Sequence, residues 1–156
     1  MNSIKLPVLN FPEKYQFRLK QIQENHLIFC FIRKKWLHLT PEEWVRQHVI
    51  QYLIHTGNFS SSAINSEVIV EINGLKKRAD IIVYQKEKPF LIVECKSPIV
   101  QISQETFDQI ARYNFQLKSN YLMVTNGLQH YYCQMDYENE QYIFLKNLPG
   151  FSISEN

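Results

Sequence analysis

The chain has 156 residues, 45% of them hydrophobic, which is enough for one domain with its own core and short for two. Its 17 basic and 15 acidic side chains leave a formal charge of +2, so no global field selects a nucleic-acid partner and local clusters must carry that argument. Cys30, Cys95 and Cys133 are odd in number and in no ligand-like spacing, which excludes a disulfide scaffold or a cysteine zinc site and reads as reduced core thiols.

The opening "MNSIKLPVLNFPEKYQ" lacks the continuous apolar stretch of a signal peptide, and no run is long enough to span a bilayer. A cytoplasmic chain without a membrane partner is expected. Residues 1–14, with Pro7 and Pro12, read as an extended arm, and "YQFRLKQIQENHLIFCFIRKKW" as two extended segments around Glu24 and Asn25, an antiparallel hairpin. In "TPEEWVRQHVIQYLIHTG" a helix begins: Thr40 caps it, Pro41 takes the first position, Glu43 completes a capping box and Gly57 stops it. Trp44, Val45, His48, Val49, Tyr52 and Leu53 form its apolar side, which makes His48 a packed histidine, and His55 answers the helix dipole.

"SEVIVEI", "RADIIVY" and "FLIVECK" read as three strands joined by the turns "NGLKK" and "QKEKP", close enough together to form a meander. "QISQETFDQIARYNFQLK" follows as a helix of about 15 residues with Phe107, Ile110 and Leu117 on one side, then the strand "YLMVT". Strand, long helix and strand make a crossover, which sets "YLMVT" parallel to "FLIVECK". "HYYCQMD" and "QYIFL" close the sheet as a further pair, and residues 151–156 read as a tail of a single domain spanning 1–156.

Charges stand inside these strands. Asp80 and Glu94 are 14 positions apart on neighbouring strands, so a suitable register sets them side by side. Two such carboxylates repel, and a divalent cation that takes oxygens from both removes the conflict. Magnesium is the hard cation such ligands favour, the backbone carbonyl of Cys95 could add a ligand, and Lys96 could orient a water or offset charge on a phosphate. The plainer alternative is an ion pair at a strand end. The clusters Arg33-Lys34-Lys35 and Lys76-Lys77-Arg78 are either solvated turns or guides for a phosphate backbone.

Arg78-Ala79-Asp80 followed by Glu94-Cys95-Lys96 resembles the divided acidic motif of the restriction-endonuclease-like PD-(D/E)-x-K superfamily, with Ala79 in the proline position. Gln109 and Tyr113 resemble the Gln-x-x-x-Tyr pattern of the branch that contains the amino-terminal nuclease domain of type I restriction enzyme R subunits. With "NGLKKRADIIVY", "LIVECKSP", "FDQIARYN" and "VTNG", the similarity covers roughly residues 15–148.

That resemblance implies an α/β fold, a mixed sheet with an αβββαβ core and an added amino-terminal hairpin. It further implies magnesium-dependent hydrolysis of DNA by a nuclease or nuclease subunit, with Mn2+ as a substitute ion. Asp80, Glu94, Lys96 and Gln109 would be catalytic, with Glu43 and Tyr113 accessory. Asp80, Glu94 and the Cys95 carbonyl would hold the metal, and Lys76, Lys77, Arg78 and Arg46 would meet nucleic acid. The alternative is a noncatalytic nucleic-acid-binding or assembly domain on the same fold. Gly57, Gly74, Gly127 and Gly150 form no nucleotide-binding loop, so any motor or specificity partner is another protein, and a homodimer is the other arrangement expected.

Overall fold

The two-residue turn at Asn73-Gly74, with φ of 51° and 78°, folds the longest strands of the chain onto each other. A computed structural model describes residues 4–150, so the tail read at 151–156 lies outside the described residues. The expected hairpin is β1 (Leu19–Ile22) against β2 (Asn25–Cys30). The chain then reverses through Lys34, at φ 53°, and adds a third antiparallel strand, β3 (Lys35–His38).

The main sheet has the order β4 (Ile64–Ile72), β5 (Leu75–Gln85), β6 (Lys88–Cys95), β7 (Tyr121–Thr125), β8 (His130–Asp136), β9 (Gln141–Leu145). β6 and β7 are parallel and the other neighbours antiparallel, as a helical crossover requires. With α1 (Pro41–His55) before β4 and α2 (Gln104–Asn114) between β6 and β7, the order is αβββαβ, the restriction-endonuclease-like core expected from the sequence. Strand boundaries at both turns differ: Lys76 and Lys77, read as turn, lie in β5 opposite Glu71 and Val70, because the turn needs only Asn73 and Gly74, and Lys88 and Pro89 likewise lie in β6.

Thr40 Oγ1 accepts the Glu43 N–H at 3.0 Å, and Ser103 Oγ accepts that of Thr106 at 3.2 Å, so each helix starts on its own side-chain cap. α2 is shorter than expected: a 3-10 turn, Phe115–Leu117, follows it and ends at Lys118, whose left-handed φ of 57° stops the coil. Alternation along β5 and β6 divides the core in two. Ile81, Val83, Leu91 and Val93 cluster with Val45, Val49 and Leu53 of α1, while Ile82 and Ile92 cluster with Phe107 and Ala111 of α2. Each such fully buried aliphatic side chain contributes about 1.5–3 kcal/mol. All three cysteines are buried and free.

Residues 4–14 form no helix or strand, and they are held against the core. The Asn10 N–H donates to the Gly127 carbonyl at 2.8 Å, Trp44 Nε1 donates to the Pro7 carbonyl at 2.9 Å, and the Phe11 ring lies 5.6 Å from His48. Among the described residues no helix is long and apolar enough to cross a membrane.

Candidate functional site

The β ladder opens where the acids stand. β4 and β5 pair at Ser66 with Ile81 and at Val68 with Ala79, passing over Glu67 and Asp80. β5 and β6 pair from Ile81 with Val93 inward, and the same register continued by one residue sets Asp80 against Glu94. A register shift between Val83 and Tyr84 makes that alignment. Freed of its rung, Asp80 reaches across and accepts the Cys95 N–H on Oδ2 at 2.8 Å.

Burial and then the neighbouring Asp80 push the Glu94 carboxyl well above the carboxylate range, to about 8, against the opposing pull of Lys96. Burial also pushes the Cys95 thiol well up, so it stays protonated and offers no thiolate. The Lys96 N–H donates to the Thr125 carbonyl at 2.8 Å, which fixes the backbone of the lysine to β7. An open cavity of about 300 Å³ is lined by Arg78 and Glu94 from the sheet, by Lys96 directly after β6, and by Gln109 and Tyr113 from α2. These residues, separated in sequence, therefore share one cavity, with Asp80 beside it.

Glu67 was not among the residues expected at the site. Its φ of 53° re-aims its carboxylate out of the strand direction, and three arginines converge on it: Arg33 at 3.1 Å, Arg46 at 2.5 Å, and Arg78 in close contact. Burial opposes the Glu67 charge, but the bonds from Arg46 and Arg78 outweigh it and hold the carboxyl down to about 2. Arg46 also lies 3.7 Å from Asp80 Oδ1, which joins this cluster to the acid pair. A two-residue turn at Asn73-Gly74 pairs positions summing to 147, so the signal that could have found Glu67 was its place opposite Asp80.

Arg46, expected to meet nucleic acid, is 5% exposed within this network, because burial of its guanidinium is compensated by Glu67, Glu43 and Asp80. Glu43 is buried too. It accepts from Gln47 Nε2 at 2.9 Å and lies 3.7 Å from Arg46 Nε, so those groups engage its carboxylate. The helix acid coupled to the pair is its neighbour Glu42, raised by partial burial and then by Asp80. Lys77 donates to the Tyr113 carbonyl at 3.1 Å and sits 4.0 Å over the Tyr113 ring, whereas Lys76 is exposed. His48 is a packed histidine: its Nδ1 meets the Trp44 carbonyl at 2.8 Å, and burial lowers its pKa.

Among the described residues no group of three or more His, Cys, Asp or Glu side chains is placed to hold a metal ion. The donor chemistry that is present, two adjacent carboxylates, is of the oxygen type that a hard cation takes. Such an ion would oppose the burial and the Asp80 charge that raise the Glu94 carboxyl.

No curated protein matches the chain. The family model described as Type I restriction enzyme R protein N terminus (HSDR_N) matches residues 41–149, from the first turn of α1 to just beyond β9. The match takes in both helices, the whole main sheet and every residue around the acid pair, and it leaves out β1, β2 and β3. The chain belongs to the family of type I restriction enzyme R-subunit amino-terminal domains, a nuclease-related family.

Proposed function

We propose that the cavity beside Glu94 receives a DNA backbone, and that the Asp80–Glu94 centre hydrolyses its phosphodiester bonds with Mg2+, or Mn2+ in its place. The observation that supports this is the convergence of Asp80 and Glu94 across two strands with Lys96 and Gln109 at the same cavity. Asp80, Glu94 and the Cys95 carbonyl would hold the ion, with Glu42 near enough to act on it electrostatically. When bound, it would supply a polarised phosphoryl oxygen and an acidic water. Lys96 would offset charge that grows on the phosphate, Gln109 would orient a water by hydrogen bonding, and Tyr113, held by Lys77, would form the wall.

The second reading is a noncatalytic nucleic-acid-binding or assembly domain, and two observations favour it. No third acidic, histidine or cysteine side chain is placed with the pair to hold a metal ion among the described residues, and Asp80 already has partners in Arg46 and the Cys95 N–H. On the geometry without an ion this reading stands on firmer ground, and hydrolysis requires that two carboxylates and a carbonyl suffice. Either role fits a cytoplasmic chain. One acid pair acts on one strand, so a coordinated double-strand cut would need a homodimer or a separate motor or specificity partner.

Purified wild type and Asp80→Ala protein, tested on linear, nicked and branched DNA with and without magnesium, separate the readings. Cation-dependent cleavage by wild type alone supports hydrolysis. Equal DNA binding with no cleavage by either protein supports the noncatalytic role.

A further inference from the structure

The three-stranded sheet of β1, β2 and β3 precedes the family match and has two unlike faces. Ile28 and Cys30 are fully buried, and Leu37, paired with Ile28, packs against the α1-side core. Alternation turns the residues between them the other way. On that opposite face Phe29 pairs with Trp36, and Arg18 lies beside Phe29, whose N–H donates to the Arg18 carbonyl at 3.0 Å. In the next row Lys20 pairs with Leu27 and Leu27 with His38.

The face thus carries two aromatic rings, 5.4 Å apart and inclined at 66°, with cations set over them. The Arg18 guanidinium is 4.5 Å from the centre of the Phe29 ring and 5.3 Å from that of Trp36, and Lys20 Nζ is 4.1 Å from the Trp36 ring. Arg18, Lys20 and His38 are exposed, and both rings are half-buried. Among the described residues neither Arg18 nor Lys20 is ion-paired with an acid, in contrast to Arg33 and Arg46. Their charge is left to an outside partner.

We propose that this face binds single-stranded nucleic acid, with bases stacking on Phe29, Trp36 and the Arg18 guanidinium while Arg18 and Lys20 hold the adjoining phosphates. Unpaired strands match this surface because their bases offer flat rings at a spacing set by charged linkages, whereas a duplex hides its ring faces. Complementarity is of two kinds at once, π-face to ring and phosphate to unpaired cation. The sheet is also keyed to the acid pair. Arg33, in the turn between β2 and β3, bonds Glu67, and Glu67 bonds Arg46, which lies beside Asp80. The inference rests on the nucleic-acid reading of the chain, and it adds a second contact surface and a preference for unpaired strands.

The test is fluorescence anisotropy of labelled oligothymidylate, oligouridylate and a duplex of equal length, with intrinsic tryptophan emission recorded alongside. Wild type is expected to bind the single strands more tightly than the duplex, with quenching that Trp36→Phe reduces. Phe29→Ala should weaken single-strand binding about tenfold or more. Arg18→Gln combined with Lys20→Gln, both exposed and expected to fold, should weaken it and flatten its salt dependence. Preference between the two oligonucleotides decides DNA or RNA. Unchanged single-strand affinity in the folded Arg18/Lys20 variant, or binding of a second copy or of protein only, overturns the proposal. Cleavage by the wild type separates this proposal from the hydrolytic one: no cation-dependent cleavage by wild type with single-strand preference retained counts against the hydrolytic centre and leaves the sheet proposal standing.

Discussion

Asp80 accepts the backbone N–H of Cys95 through Oδ2 at 2.8 Å, so a side chain closes the rung that its own strand leaves open. Asp80→Ala removes that acceptor and is expected to cost about 1–3 kcal/mol, the cost of leaving a donor of this kind unsatisfied. Asp80→Asn keeps an amide oxygen in place and should lose less. Both should lack cation-dependent cleavage. Urea unfolding followed by the cleavage assay checks this, and wild-type cleavage by Asp80→Asn removes Asp80 from the proposed centre.

Glu94→Gln is expected to keep the fold and to lose cation-dependent cleavage, and its stability should answer to pH. The folded carboxyl titrates near 8 and an unfolded glutamate near 4.5, so between those values the folded state binds more protons. Stability of the cation-free wild type therefore falls as pH rises through that window, while the glutamine variant, which cannot ionise there, is spared. Melting curves should coincide near pH 4.5 and separate by pH 8 in favour of Glu94→Gln, with magnesium raising only the wild type. Parallel profiles across the window would contradict the account of Glu94.

Lys96→Met should lower the cleavage rate about a hundredfold, the scale of losing one group that stabilises transition-state charge. A protonated lysine donates no lone pair to a metal, so cation affinity should change less than in either carboxylate variant. Calorimetric magnesium titration and single-turnover cleavage measure the two separately. Full turnover at saturating magnesium excludes the role.

Glu67→Gln is expected to destabilise the chain by about 3 kcal/mol at neutral pH, the lower end for breaking a buried pair, since Arg46 keeps Glu43 and Asp80 beside it. The folded Glu67 carboxyl is held down to about 2, so its stabilisation is fully present above 4.5 and lost as pH falls toward 2. The difference between wild type and variant should shrink over that interval in chemical unfolding. A difference independent of pH would assign the effect to packing.

DNA binding should weaken as salt rises, with unequal shares from Lys76, Lys77 and Arg78. Lys77 is engaged by Tyr113 and Arg78 by Glu67, whereas Lys76 is exposed. Lys76→Ala should therefore lower the logarithmic salt slope by about one, and Lys77→Ala by less. Anisotropy across a salt series decides it, and identical slopes for wild type and Lys76→Ala would exclude a phosphate contact at Lys76.

The sequence by itself determined the order of elements in the αβββαβ core, because the helix cap at Thr40, the turn in "NGLKK" and the strand alternation are local signals, whereas the third strand before α1 was not legible. It also determined one half of the site's register: counting outward from Asn73-Gly74 sets Glu67 opposite Asp80. The other half was decided by the tertiary structure. Counting outward from the turn at Lys86-Glu87 sets Asp80 opposite Val93, and only the register shift between Val83 and Tyr84 moves Glu94 into that place. A one-residue shift exchanges the faces of a strand, and its cause is packing of both sheet faces, which no single window of sequence contains. The same holds for Arg46 and Glu42. They lie one turn apart on α1, yet Arg46 is buried between Glu67 and Asp80 while Glu42 stays exposed, which follows from how α1 docks where the ladder opens.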